Sequence, residues 1–234
     1  MLFQGNHIAW QSPAGKRLDE FARRLPTQRR LEIIVFGSTP LQLFVDAQFT
    51  SADIDICSDE DTYQTLLDFV EQQGWTQEKS SDFYIQVCDP LAFKSTIDWR
   101  ARAIEVERHG HLFVFVHPWD VLVSKLQRLE EKDLNAFRLV TEKTGHPTEE
   151  EFARHLQLAV DLYRPKFDEE SARGDMTINT RILWQTLWKK EIDVRVRIIR
   201  PALERAEREY READPTLKTR LANLRLREEP PKQK

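Results

Sequence analysis

At 234 residues and 27.7 kDa, with 40% hydrophobic and 32% charged residues, the chain has the composition of a soluble globular protein with a sizeable core. Its 7 Gly and 11 Pro exclude collagen-like and low-complexity architectures, and its two cysteines, Cys57 and Cys88, exclude a disulfide framework and cannot alone fill a four-ligand zinc site. A formal net charge of −4 does not describe a nucleic-acid coat protein, and no apolar run approaches the ~18 residues of a membrane-spanning helix. With no signal-peptide pattern either, the expectation is a cytoplasmic protein without a membrane partner.

Charge is unevenly spread. Residues 189–234 hold 14 basic and 9 acidic side chains, a net +5, which leaves −9 on residues 1–188. That asymmetry suggests two functional zones.

In chain order, Ser12 to Leu25 places Leu18, Phe21 and Leu25 at helical spacing, and Pro26 stops the helix. Leu31 to Phe36 is a β-branched and aromatic run ending at Gly37, the pattern of a buried strand. Ser38 and Thr39 offer N-cap hydroxyls, and Pro40 suits the first turn of a short helix from Leu41 to Ala47. Asp53-Ile-Asp-Ile-Cys57 alternates carboxylates with apolar residues, as a strand with one polar face does. Ser58 is expected to cap a helix through Glu71, with Tyr63, Leu66, Leu67 and Val70 as its apolar stripe and Gly74 as its stop. Further strands are predicted at Phe83–Val87, Ser95–Trp99 and Leu112–Val116. Pro118 opens a helix carrying Val121, Leu122, Lys125 and Leu129, and Gly145-His146-Pro147 is a break. Beyond it the pattern is helical: Glu149 to Tyr163, Thr177 to about Asp214 with an interruption near Pro201, and Thr216 to Arg227. The expected domains are therefore an α/β unit over 1–145, a helical unit over 146–227, and a Pro- and charge-rich disordered tail over 228–234.

The chemistry lies in Phe36-Gly37-Ser38, a gap of fourteen residues, and Asp53-Ile-Asp55. Residues i and i+2 of a strand point the same way, so Asp53 and Asp55 can converge on one cation. Hard carboxylate oxygens with open positions suit Mg²⁺ (or Mn²⁺), which keeps waters and substrate phosphates as its other ligands. Gly37 permits close backbone approach, and Ser38 with the following helix N-terminus offers donors to a phosphate. An anion cradle beside a metal clamp is what phosphoryl or nucleotidyl transfer requires. A third carboxylate would complete a two-metal site, and Asp98, in the alternating run Ser95-Thr-Ile-Asp-Trp-Arg100, is the candidate.

With these residues in place, the stretch from Leu31 to Val140 resembles the nucleotidyltransferase superfamily of DNA polymerase beta-like fold. That superfamily is marked by an apolar residue with Gly-Gly or Gly-Ser, a gap, Asp-x-Asp, and a later strand carboxylate. A second match, Pro118-Trp-Asp120-Val-Leu122-Val-Ser-Lys125-Leu-Gln-Arg128 followed by Lys132-Asp133, is similar to a helix of AbiEii-type toxins of abortive-infection toxin–antitoxin systems and their relatives. The resemblance implies a mixed sheet flanked by helices with an appended all-helical domain. It also implies an NTP substrate whose triphosphate contacts Gly37, Ser38 and Lys125, with Asp133 near the nucleotide. Asp53, Asp55 and Asp98 would be its catalytic, metal-binding residues. The acceptor would be a hydroxyl on RNA such as tRNA, on protein or on a small molecule, and an antitoxin protein is an implied partner. The chain departs from the family pattern in its longer gap and in Phe49, which stands where many relatives carry Arg.

Plainer readings accompany each candidate. Asp98 can pair with Arg100 or Arg102, Lys125 can be the polar face of an amphipathic helix, and Asp133 can be a surface charge. His109-x-His111 flanks a turn, and Trp184 and Trp188 suit core packing. The arginines of the basic tail interleave with glutamates as on a solvated helix face, or form an RNA-contacting arm. As that arm, a basic strip containing some of Arg181, Lys189, Lys190, Arg195 and Arg197 is expected to line the approach to the cleft. The rival to an enzyme is a non-catalytic module of the same fold that binds a nucleotide or a protein.

Overall fold

The computed structural model describes residues 8–26, 29–49, 51, 53–79, 84–89, 92–160 and 176–212. Its centre is a five-stranded mixed sheet of order β3-β2-β1-β5-β4, built from β1 (Glu32–Phe36), β2 (Asp53–Cys57), β3 (Tyr84–Val87), β4 (Ile104–Arg108) and β5 (His111–Phe115). β1 runs antiparallel to β2 and parallel to β5, β2 runs parallel to β3, and β4 closes the far edge antiparallel to β5. Helices α1 (Pro13–Arg24), α2 (Thr39–Phe44) and α3 (Glu60–Gln72) interleave with the strands. The helical half follows as α4 (Pro118–Leu126), α5 (Glu131–Thr144), α6 (Glu149–Gln157), α7 (Met176–Leu187) and α8 (Arg200–Glu212), the last entered through a π-helical turn at Arg195–Ile199.

Alternation in the strands sorts their side chains. Ile33, Val35, Ile54, Ile56, Ile85, Phe113 and Phe115 face one side and bury against Leu18 and Phe21 of α1 and Leu66, Phe69 and Val70 of α3. Asp53 and Asp55, being of opposite parity, face the other side. There, at the end of β1 and β2, a second core starts at Phe36 and Cys57 and runs without a break through Val121, Leu122 and Leu126 of α4, Phe137 of α5, Phe152 of α6 and Trp184 of α7. Fully buried Leu and Phe side chains contribute roughly 1.5–3 kcal/mol each, so this shared core fixes α4 against the sheet firmly enough to aim polar side chains.

Capping chemistry sets most helix boundaries. Ser12 Oγ accepts from Gly15 N (3.1 Å) to start α1, and Gly145, with φ of 72°, ends α5. Several expectations are corrected. The N-cap of α3 is Asp59, whose Oδ1 accepts from Thr62 N at 2.8 Å, because a carboxylate satisfies a helix N-terminus better than the neighbouring Ser58 hydroxyl. Its buried stripe is Leu66, Phe69 and Val70, leaving Tyr63 and Leu67 partly exposed. Ser95–Trp99 is not a strand: Ser95 and Thr96 bond to buried Asp120, and a 3₁₀ turn follows at Trp99–Arg102. The strand paired with β5 is instead Ile104–Arg108, joined to it by a tight turn in which His109 and Gly110 both have positive φ. The helix opened by Pro118 ends at Leu126, and Leu129 (φ 48°) separates it from α5, which Glu130 and Asp133 cap reciprocally. Downstream the break falls at Lys189 (φ 56°), and Pro201 lies inside a continuous helical run just after the π-helical turn, where it cannot donate and Arg197 O, four residues back, accepts from Gln157 Nε2 at 3.0 Å. The expected end of a helix at Tyr163, the helix Thr216–Arg227 and the tail 228–234 lie outside the described residues. Among the described residues no helix is long and apolar enough to cross a membrane.

Candidate active site

β1 ends at Phe36, which pairs with Asp55 across the antiparallel ladder, so the Gly37-Ser38 turn passes directly over the Asp-x-Asp strand. The turn accepts only glycine. Gly37 has φ of 62°, and a Cβ placed on it would stand 1.9 Å from Asp55 Oδ2. Ser38 precedes α2, but its hydroxyl does not cap the helix; Ser38 Oγ accepts from Lys125 Nζ at 2.9 Å. Turn, carboxylate strand and α4 thus meet at a cleft of about 740 Å³, lined among others by Phe36, Gly37, Ser38, Asp53, Asp55, Tyr84, Gln86, Lys125 and Arg128.

Inside the cleft, Asp53 Oδ1 accepts from Ser51 Oγ (2.9 Å) and Oδ2 lies 3.5 Å from the Tyr84 hydroxyl. Among the described residues Asp55 has no such donors. Burial first and the charge of Asp53 second push its carboxyl up to about 6, against the pull of Lys125 and Arg128. Both carboxylates are partly exposed to the cleft, and Lys125 and Arg128 offset only part of their charge. Lys125 is 10% exposed and also donates to Asp133 Oδ1 at 3.2 Å. Asp133 is fully buried and accepts from Arg128 Nε and Nη2 (both 3.1 Å) and from Glu130 N (3.0 Å). Those donors outweigh the upward effect of its burial and hold its carboxyl below the usual range. Asp133 sits behind Lys125 and Arg128 and orients both toward the cleft; it is neither a surface charge nor a lining residue.

Asp98 is not brought to this place. It precedes the 3₁₀ turn, is 45% exposed, and pairs with Arg102 Nη1 at 2.8 Å through Oδ2, the plainer of its two expected readings. It does not line the cleft, because the segment that was to carry it as a strand folds onto Asp120 instead. Nor does the basic tail approach: none of Arg181, Lys189, Lys190, Arg195 and Arg197 lines the cleft. Lys190 and Arg197 pair with Glu149, and Arg197 also with Glu150 at 2.6 Å. The cleft's cations are Lys94, Lys125, Arg128 and Lys132.

Several lining residues escaped sequence reasoning. Tyr84 and Gln86 lie beside Asp53 and Asp55 in parallel register, and their alternation with buried Ile85 was the available signal. Phe49 and Phe93, the latter packed on Phe36 with ring centroids 5.2 Å apart, supply aromatic surface. Asp120 of the Pro-x-Asp motif proves to be a fastening. It accepts from Ser95 Oγ (2.9 Å), Thr96 Oγ1 (2.7 Å) and Arg102 Nε (3.0 Å), and His155 of α6 lies 3.3 Å away.

A mixed sheet bearing a Gly-Ser turn over an Asp-x-Asp strand, with a lysine-bearing helix closing the cleft, is the nucleotidyltransferase arrangement. Residues 16–139 match a family described as a nucleotidyltransferase of unknown function (DUF6036), and the chain belongs to that family. No curated protein and no solved structure matches the chain.

Proposed function

We infer that the protein is a divalent-cation-dependent enzyme that transfers NMP from an NTP to an acceptor and releases pyrophosphate. The observation that supports this most is the convergence of Gly37, Ser38, Asp55 and Lys125: the glycine is packed on the Asp55 carboxylate and the serine is bonded to the lysine. The residues fit a hard cation. Asp53 and Asp55 are oxygen donors on one strand face, and the Asp55 carboxylate fills the space left by the missing Gly37 side chain. When bound, Mg²⁺ or Mn²⁺ would neutralise charge on the triphosphate and polarise its α-phosphate.

The protein's own groups supply the rest. Asp53 and Asp55 hold the cation; Gly37 N–H, the Ser38 hydroxyl and Lys125 bind the triphosphate. Asp133 is a positioning residue that keeps Lys125 and Arg128 extended toward it. Phe49 and Phe93 offer flat apolar surface for a base. The similarity of the α4 motif to AbiEii-type toxins supports a further reading, in which the acceptor is tRNA or another RNA and a protein antitoxin silences the enzyme in the cytoplasm. The competing reading, a nucleotide-binding module without turnover, is favoured by the displacement of Asp98.

The test is isotope transfer. Each α-labelled NTP, with Mg²⁺ and the full chain, is offered total tRNA and the protein itself as acceptors. Labelled product that disappears in Asp53→Asn supports the enzyme; nucleotide binding without product under all conditions supports the module.

A further inference from the structure

In superfamily logic a third carboxylate beside the Asp-x-Asp pair takes the proton from an acceptor hydroxyl. Here that place is held by an amide. β3 pairs in parallel register with β2, so Gln86 stands next to Asp55 and Tyr84 next to Asp53, and all four line the cleft. An amide can donate or accept a hydrogen bond but cannot take up a proton near neutral pH. Asp98 is turned to Arg102, and among the described residues no group of three or more His, Cys, Asp or Glu gathers in a metal-binding cluster. No histidine lines the cleft among those residues either. Among the described residues Lys94, Lys125, Arg128 and Lys132 line the same cleft, with Asp133 behind Lys125 and Arg128 and Glu130 beside Arg128 and Lys132.

A cleft whose described wall sets an amide beside Asp55, with lysine and arginine side chains around it, suits a nucleophile that arrives already ionised. We propose that the acceptor is a phosphate monoester, attacking through its own anionic oxygen, in place of a neutral hydroxyl; this rests on the nucleotidyl-transfer reading above. A phosphate monoester has its second pKa near ~6 and is mostly dianionic at neutral pH. Its oxygen forms a bond to the α-phosphorus of the NTP, and the bond from that phosphorus to the bridging oxygen of the β-phosphate breaks. The electron pair leaves with pyrophosphate. No proton is removed from the nucleophile, and the product is a phosphoanhydride. A hydroxyl acceptor would forgo the ~10²–10⁴-fold that a positioned general base contributes.

The experiment uses matched acceptors with the full chain, Mg²⁺ and each NTP. Glucose 1-phosphate is compared with glucose, and a 3′-blocked oligonucleotide bearing a 5′-phosphate with its 5′-hydroxyl form; the two pairs separate a small-molecule phosphate from a nucleic-acid end. The expected result is pyrophosphate release and a new diphosphate ³¹P resonance with a phosphorylated member, faster than its hydroxyl counterpart by about 100-fold or more. Equal rates within a pair overturn the proposal while leaving nucleotidyl transfer intact. Two binding readouts stand apart from turnover. With Mn²⁺ and a non-hydrolysable NTP analogue, the phosphorylated probe should bind more tightly than the hydroxyl probe, and Gln86→Glu should add a second Mn²⁺ per chain by electron paramagnetic resonance and make the hydroxyl acceptors usable. No transfer together with no preference for either phosphorylated probe also overturns the proposal; loss of NTP binding itself would mean that the nucleotidyl-transfer reading has failed first.

Discussion

Asp120 is a fully buried carboxylate and Asp55 a half-buried one, and desolvation has opposite outcomes for them. Asp120, on α4, accepts from Ser95, Thr96 and Arg102 and lies 3.3 Å from His155, and Arg102 and His155 beside it hold its carboxyl far below the usual range against the upward push of desolvation. Asp55, on β2, stands beside Asp53 on the same strand face in an open cleft, and its carboxyl is pushed up to about 6. One charge is satisfied by the fold and fastens α4 to the 95–102 segment and to α6. The other is left for something the fold does not contain. Negative charge kept unsatisfied at a cleft is a cost to stability that a bound cation would offset.

The comparison breaks if the two sites respond alike to losing their charge. The largest effect is expected at Asp120. Asp120→Ala removes the buried acceptor shared by Ser95, Thr96 and Arg102, leaving Arg102 with Asp98, and it should cost about 3–5 kcal/mol in denaturant unfolding. A change under about 1 kcal/mol would show that Asp120 is not a fastening.

Asp55→Asn should go the other way. Relieving a buried charge held beside Asp53 is expected to stabilise the cation-free protein by about 1–3 kcal/mol, while nucleotidyl transfer is lost. Destabilisation in the absence of a divalent cation would contradict the reading of Asp55 as a ligand awaiting its ion.

Acid sharpens the contrast through His117, which sits beside this fastening at the start of α4. His117 Nδ1 accepts from Trp119 N at 3.2 Å, so the ring must be neutral there, and burial pushes its pKa down to about 4. Its folded value lies below the ordinary ~6.5, so the folded chain binds that proton less readily than the unfolded one. The stability it contributes is complete above pH ~6.5 and falls as the pH drops toward 4, by up to about 3 kcal/mol. His117→Asn keeps a capping acceptor without a titrating group, and thermal melts of the variant should show a flatter slope across that window.

The smallest effect is expected from the basic helices. Arg197→Ala removes pairs with Glu149 and Glu150 that are partly solvent-exposed, so stability should change by only about 1 kcal/mol. Nucleotide affinity should not change, since Arg197 lies outside the cleft. A fall in nucleotide affinity would return the basic arm to the site.

What could be read from sequence follows the range of the interactions. β2 was legible to the residue because its alternation and its chemistry coincide: Asp53 and Asp55 face the cleft while Ile54 and Ile56 face the core. The Gly37-Ser38 turn was legible because its residue types are demanded locally. Asp98 misled because alternation in Ser95–Trp99 imitates a strand, while the hydroxyls of Ser95 and Thr96 are taken by Asp120, which is 25 and 24 residues away. The break at Leu129 has no glycine or proline to mark it and depends on Asp133 reaching back to Glu130 N. For Gln86, alternation with Ile85 signalled only the face it takes; its place beside Asp55 exists only in the register between β2 and β3.

The central claim is that the cleft beneath the Gly37-Ser38 turn holds a divalent cation together with a nucleoside triphosphate. Mn²⁺ binding followed by electron paramagnetic resonance, with and without a non-hydrolysable NTP analogue, tests it most directly. The wild-type chain should bind Mn²⁺ more tightly when the analogue is present, and Asp53→Asn and Asp55→Asn should each weaken that binding by about 100-fold or more. Mn²⁺ binding that is unchanged in both variants, or indifferent to the analogue, would contradict it.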